Sequence, residues 1–298
     1  RVLGKGAMGL VYEARDPNLD RRVAIKTIKV ENLSAEASAD YEARFRTEAR
    51  SAARLQHPNI VSVYDSERHG DTAYLVMEYV QGDDLKQHLD GGKRYTLDES
   101  LGMVRDLLAA LDYAHRQNIV HRDVKPANLL VEASGRVKLT DFGVARIQDS
   151  GEATRTKGSM VGTLKYMSPE QAQGLSVDAR ADLFAAGIVL YQLLTGRRPF
   201  DGEGEFAIIH QIVSQDPPPP SSINPQLPPA LDAVVARALA KQRDDRYASA
   251  HEFAVALQEA SGQVPDPTIV PPFSGSEFRG TGGTGSGVQR SRTGTGFG

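Results

Sequence analysis

The densest cluster of reactive side chains in the chain is His121-Arg122-Asp123-Val124-Lys125-Pro126-Ala127-Asn128, where a carboxylate, an ammonium and an amide follow one another around a proline. That set can accept a proton, neutralise an anion and offer oxygen to a hard cation. Asp141-Phe142-Gly143 comes thirteen positions after Asn128, at the end of Val137-Lys138-Leu139-Thr140, and adds a second carboxylate. Near the start, Gly4-Lys5-Gly6-Ala7-Met8-Gly9-Leu10-Val11 spaces three glycines so that backbone can approach phosphate oxygens. Val23-Ala24-Ile25-Lys26 then places a lysine on an apolar strand, where an inward-pointing ammonium needs an anion. A polar turn or an edge-strand lysine explains any one of these alone; the co-linear set is far harder to obtain by chance.

Two other phosphate-binding designs are excluded. A dinucleotide-binding turn needs a helix after its glycines and an acid about twenty residues on. Here Leu10-Val11-Tyr12-Glu13-Ala14 reads as a strand, and Ala24 to Lys29 contains no acid. The G-K-[ST] ending of a Walker A loop is also missing.

The elements that must position these residues fall into two groups. Residues 1–80 are strand-rich, with short alternating or β-branched runs at Leu10–Ala14, Arg22–Ile28, Ile60–Asp65 and Thr72–Met77. One helix interrupts them, from about Ala37 to Leu55, and it ends where Pro58 disfavours further helix. It carries Glu48, a carboxylate able to cross to Lys26. From about residue 83 the pattern turns helical. Thr96 and Glu99 have capping-box spacing ahead of a helix to about Gln117. Ala181–Leu194 is apolar on nearly every face, as a central buried helix must be. Pro217–Pro220 is an extended connector, and Ala230–Leu239 and Glu252–Leu257 are further helices.

Composition narrows the setting. The chain has 298 residues, no cysteine and a net charge of −3, from 35 basic and 38 acidic residues. Disulfides, thiolate nucleophiles and cysteine-bound metals are excluded, and the whole-chain charge gives no footprint for nucleic acid or anionic membrane. No apolar run reaches the roughly 18–20 residues that a membrane span needs. In residues 262–298, 23 of 37 residues are Gly, Pro, Ser or Thr, too little apolar surface to offset ordering, so a disordered linker is expected there.

Taken together, GKGAMGLV, VAIK, a helix glutamate, HRDVKPAN, DFG and GTLKYMSPE resemble the eukaryotic-type protein kinase family over residues 1–260, and HRDVKPAN with GTLKYMSPE is similar to its serine/threonine members. YVQGDDL, LDYAH and SPEQAQG are similar to the bacterial branch. The resemblance implies an α+β bilobal fold: a β-rich N-lobe with one main helix over about 1–79, and a larger, mostly helical C-lobe over about 80–261. It also implies that the first strand is truncated and that the chain is a piece of a longer protein.

The site roles follow from the same resemblance. It implies that Gly4, Lys5, Gly6 and Gly9 cover the ATP phosphates, and that Lys26, held by Glu48, contacts them. Leu3, Val11, Ala24 and Leu130 sandwich adenine, Met77 stands as gatekeeper, and the backbone of Glu78 and Val80 reads the base edge. Asn128 and Asp141 ligate Mg2+, with Mn2+ as an alternative. Asp123 takes the substrate hydroxyl, Lys125 neutralises the transferring group, and Thr163 braces both. Asp182, Glu170 and Arg246 resemble positions that hold the loops. Arg122 marks control by phosphorylation of the activation loop, at Thr154 and Thr156. The implied partners are ATP and proteins bearing Ser or Thr, with no nucleic acid and no membrane contact from this segment. The implied setting is cytoplasmic, with a homodimer through the N-lobe and a membrane anchor in the parent.

Two departures from the family pattern stand out. Ala127 replaces the Glu of many kinases that prefer basic substrates, and Ser168 replaces the usual Ala before Pro169.

Overall fold

Alternating apolar positions in the first eighty residues build an antiparallel sheet of five strands: β1 (Val2–Gly6), β2 (Gly9–Asp16), β3 (Arg21–Lys29), β4 (Val63–His69) and β5 (Thr72–Glu78), in the order β1-β2-β3-β5-β4. The computed structural model describes residues 1–6, 9–29, 47, 49–69, 72–142 and 163–262. β3 lies in the middle, with Lys26 opposite Val11 of β2 and Leu75 of β5. Val23, Ala24 and Lys26 are buried in this central strand, while Ile25 and Thr27 are half-buried.

The glycine motif is a hairpin, with Gly6 opposite Gly9, and its last position leads into a strand. A Cβ on Gly9 would sit 1.8 Å from the Thr27 carbonyl oxygen, so the close approach of β2 to β3 demands glycine there. Thr27 reinforces that contact: its hydroxyl accepts from Leu10 N at 3.2 Å and donates to Leu10 O at 3.1 Å. Gly4 differs, since a Cβ there would meet nothing within 4 Å.

The strand expected at Ile60–Asp65 is displaced. β4 begins at Val63, while Ile60 makes an isolated bridge to Leu139 and Val61 N donates to Leu139 O at 3.0 Å. That apolar start is spent on a distant strand. Helix is described at residues 49–53 and has ended before Leu55, earlier than the sequence suggests.

The larger part is helical around a three-stranded sheet, β6 (Gly82–Asp84), β7 (Leu129–Glu132) and β8 (Val137–Leu139). Its helices are α1 (Leu85–Asp90), α2 (Leu97–Arg116), α3 (Pro169–Ala172), α4 (Arg180–Thr195), α5 (Glu205–Ser214), α6 (Pro220–Ile223), α7 (Ala230–Ala238) and α8 (Ala250–Ala260). The capping box forms as its spacing predicts: Glu99 N donates to the Thr96 hydroxyl at 3.2 Å, and Thr96 N donates to the Glu99 carboxylate at 2.7 Å. α4 is buried from Ala181 through Leu194, and α2 and α7 pack on it. The Pro217–Pro220 connector stays non-helical until Pro220, which opens α6 at the first helical position, where proline costs no hydrogen bond.

Residues Arg1–Pro265 form one unit and Asp266–Gly298 another. The expected linker lies outside the described residues apart from Gly262. Among the described residues no helix is long and apolar enough to cross a membrane.

Candidate active site

The loop His121–Asn128 connects α2 to β7, and its shape is set from below by Asp182, near the start of α4. The buried Asp182 carboxylate accepts from His121 N at 2.8 Å, from Arg122 N at 2.7 Å and from His115 Nε2 at 2.8 Å. Burial alone would raise its pKa. The His115 hydrogen bond and charge outweigh burial and hold it below the ordinary carboxylate range.

His121 is fully buried and uses both ring nitrogens: Nδ1 accepts from Asp123 N at 3.2 Å, so Nε2 carries the proton donated to Thr140 O at 2.8 Å. Its ring meets Phe142 edge-on at 4.7 Å. Arg122 has φ +67° and Asp141 φ +69°. For such residues this left-handed backbone costs on the order of 1–3 kcal/mol, a strain the surrounding bonds must hold in place.

Within this frame, Asp123 Oδ2 lies 2.8 Å from Lys125 Nζ and 3.1 Å from Asn128 Nδ2. Lys125 Nζ also donates to the Thr163 hydroxyl at 2.9 Å, so Thr163 braces Asp123 through Lys125. The other carboxylate oxygen, Asp123 Oδ1, is buried and has no hydrogen-bond partner among the described residues. A buried acceptor left open is costly unless something arrives to use it.

Asn128 Nδ2 is also committed to Asp123 O at 2.7 Å, and among the described residues no hydrogen bond reaches its amide oxygen. Asp141 Oδ2 pairs with Lys26 Nζ at 2.7 Å. Burial works to raise the Asp141 carboxyl, but Lys26 prevails and keeps it below the usual range, so it is an anion at neutral pH.

One carboxylate and one amide oxygen suit a hard cation that keeps waters and takes its remaining ligands from phosphate. Among the described residues no cluster of three or more His, Asp or Glu side chains could hold a metal alone. The donor set therefore fits a nucleotide-borne divalent cation better than a permanent metal centre.

The apolar residues assigned to a base pocket do come together. Ala24 and Met77 belong to one buried cluster, and Leu3, Val11, Val80 and Leu130 pack against it from β1, β2, the segment after β5, and β7. Arg122 O accepts from Gln171 Nε2 at 2.8 Å, and among the described residues its guanidinium has no carboxylate partner. Glu48, Thr154 and Thr156 lie outside the described residues, as does the side chain of Lys5.

The two residues whose positions resemble loop-holding ones are joined: Arg246 donates to both Glu170 oxygens at 2.8 Å, deep in the large lobe. Sequence reasoning missed His115 and Gln171 as supports of the loop. It also missed Asn59, whose side-chain amide donates to Val137 O at 2.9 Å and whose backbone carbonyl accepts from Leu139 N at 2.8 Å. These partners are far apart in sequence and carry no local signal.

A strand lysine paired with an aspartate, and a second aspartate braced by lysine and asparagine on a buried loop, agree with what the chain matches. Residues 1–256 match the family model described as protein kinase domain, and the chain belongs to that family. The described residues show its α+β fold, a β-sheet lobe and a helical lobe.

Among curated proteins it is similar to members named as serine/threonine kinases of bacteria. It is 46% identical over 262 residues to a probable serine/threonine-protein kinase of Streptomyces coelicolor, covering 86% of this chain and 38% of that one. It is 42% identical over 273 residues to the serine/threonine-protein kinase PknB of Mycolicibacterium smegmatis, covering 89% and 43%. To PknB of Mycobacterium leprae it is 44% identical over 273 residues, with the same coverages. The chain thus spans about two fifths of the length of these relatives.

Proposed function

We propose that the chain is an ATP-dependent protein kinase that transfers the γ-phosphoryl group of ATP to serine and threonine hydroxyls of proteins. The observation that carries this reading is the Asp123 carboxylate: one oxygen is fixed by Lys125 and Asn128, and the other is buried with no hydrogen-bond partner among the described residues, which leaves its lone pairs available to a hydroxyl proton.

The substrate oxygen bonds to the γ-phosphorus as the bond to the β–γ bridging oxygen breaks. The hydroxyl proton passes to Asp123 and ADP leaves. Lys125, held by Thr163, neutralises charge on the transferring group. Lys26 exchanges Asp141 for phosphate oxygens, with Glu48 as its support in that state. Gly4, Lys5, Gly6 and Gly9 enclose the phosphates. Leu3, Val11, Ala24, Met77 and Leu130 hold the base, whose edge meets the backbone of Glu78 and Val80. Asp141 and the Asn128 amide oxygen would hold Mg2+, or Mn2+ in its place, which would supply charge neutralisation to the phosphates.

The reading extends to control. Phosphate on Thr154 or Thr156 adds about −1.5 to −2 charge and strong acceptor oxygens, and Arg122, next to the catalytic aspartate and without a carboxylate partner among the described residues, is the donor that would pair with it. A cytoplasmic setting and a homodimer through the small lobe belong to the same reading. The absence of cysteine fits a reducing setting, and the homodimer is carried over from the family resemblance alone.

The test is incubation with Mg-ATP and a generic protein substrate, with phosphosites mapped by mass spectrometry in the wild type and in Lys26→Met. The wild type is expected to place phosphate on Ser and Thr, including Thr154 and Thr156, and Lys26→Met to lose roughly 10²-fold or more of the rate. Equal transfer by both would overturn the assignment of Lys26. Absence of loop phosphate in an active wild type would remove the regulatory part alone.

A further inference from the structure

A second buried lysine has a partner that the reaction does not account for. Lys138 is the middle residue of β8, flanked by the buried Val137 and Leu139, and is itself 8% exposed. Its Nζ lies 2.7 Å from Glu78 Oε1. Glu78 is the last residue of β5, immediately before the segment that leads to β6. Its other oxygen accepts from Ser62 N at 3.2 Å, while its own N–H donates to Ser62 O at 2.9 Å.

β8 is immobilised on its remaining sides. Val137 N donates to Asp106 at 2.8 Å, Asn59 binds both Val137 O and Leu139 N, and Lys138 pairs across the ladder with Leu130. Three positions after Lys138, the same chain direction delivers Asp141. One ion pair therefore joins the end of β5 to the strand that ends two residues before the cation-binding carboxylate. Of the other titratable groups nearby, His57 has its pKa lowered by burial and then by the Lys138 charge, and Asp106, which holds Val137 N, has its carboxyl pushed up by burial.

We propose that Lys138, through its ion pair with Glu78, is a positioning residue for the nucleotide, fixing the base-reading backbone at Glu78–Val80 relative to Asp141. This rests on the kinase reading of the site. A lysine in the middle of a short buried strand costs desolvation, and an apolar residue of the same length would pack there at least as well, so packing does not explain the charge. What the charge supplies is a direction: a fixed link between two segments that must be held a nucleotide's length apart.

The experiment is fluorescence titration with a labelled ADP on the wild type, Lys138→Met, Lys138→Arg, Glu78→Gln and the Lys138→Met/Glu78→Gln double variant, with a thermal unfolding scan of each. Lys138→Met and Glu78→Gln are each expected to weaken ADP roughly tenfold, about 1.4 kcal/mol. The double variant should be no weaker than either single, the non-additivity of a coupled pair. Lys138→Arg should recover most of the affinity, and in Lys138→Met the KM for ATP should rise while that for the protein substrate does not. Unaltered ADP affinity in the single variants, or additive losses in the double, would overturn the proposal even if unfolding temperatures fall. Should Lys138→Met not fold, Glu78→Gln against Lys138→Arg decides by the same criterion. A wild type that binds no ADP would defeat the kinase reading itself, a result distinct from variants that bind as well as wild type.

Discussion

Around His121–Asn128 the large lobe occupies nearly every polar group before any substrate arrives. Asp182 takes two backbone N–H groups and His115, His121 uses both ring nitrogens, and Lys125 has Asp123 and Thr163. On the small-lobe side of the cleft, Lys26 is joined to Asp141, and Gly4 faces open space. The first arrangement is preorganised, so Asp123, the proposed proton acceptor, needs no rebuilding as charge develops. The second is exchangeable, because an ammonium on a flexible stem can trade a carboxylate for phosphate without disturbing the strand beneath it. The difference assigns stability to the large lobe and adaptability to the small one.

The contrast breaks most readily at the Glu170–Arg246 pair, which is nearly inaccessible to solvent. Glu170→Ala leaves a buried guanidinium without its anion, and urea unfolding should report a loss of about 3–5 kcal/mol. Burial would raise the Glu170 carboxyl, but Arg246 holds it below its ordinary 4.5. Its contribution is therefore complete above that pH and is lost as the pH falls through the lower, folded value. The wild type should lose stability below about pH 4.5 more steeply than Glu170→Ala.

A smaller effect is expected inside α4. A Cβ on Gly187 would meet the Ala238 methyl at 2.9 Å and Leu239 Cδ2 at 3.0 Å, so Gly187→Val should cost about 1–3 kcal/mol by overpacking α4 against α7. The smallest belongs to the small lobe's surface. Arg15 and Asp20 are paired but 71% and 72% exposed, and Arg15→Ala should change unfolding free energy by at most about 1 kcal/mol. A small-lobe surface pair as costly to remove as Glu170 would erase the distinction.

What could be read from the sequence follows the range of the interactions. The glycine hairpin, the capping box at Thr96 and the apolar α4 are visible because periodicity and spacing are local. The brackets around the catalytic loop are not: His115 reaches Asp182 across 67 positions, and Lys138 reaches Glu78 across 60. Lys138 did carry a signal, a lysine amid apolar strand residues, and it is the same signal that singled out Lys26. β4 starts late because Ile60 and Val61 serve β8, a pairing that no local pattern encodes. α5 went unread although six of its ten residues are apolar; of these only Ile208 and Ile212 are buried.

The central claim, that Asp123 receives the substrate proton while the nucleotide is bound elsewhere in the cleft, is tested most directly by measuring ADP affinity and phosphoryl transfer on one preparation of Asp123→Asn. The account predicts that ADP binds as in the wild type while transfer falls roughly 10²-fold or more. Transfer at the wild-type rate would contradict it.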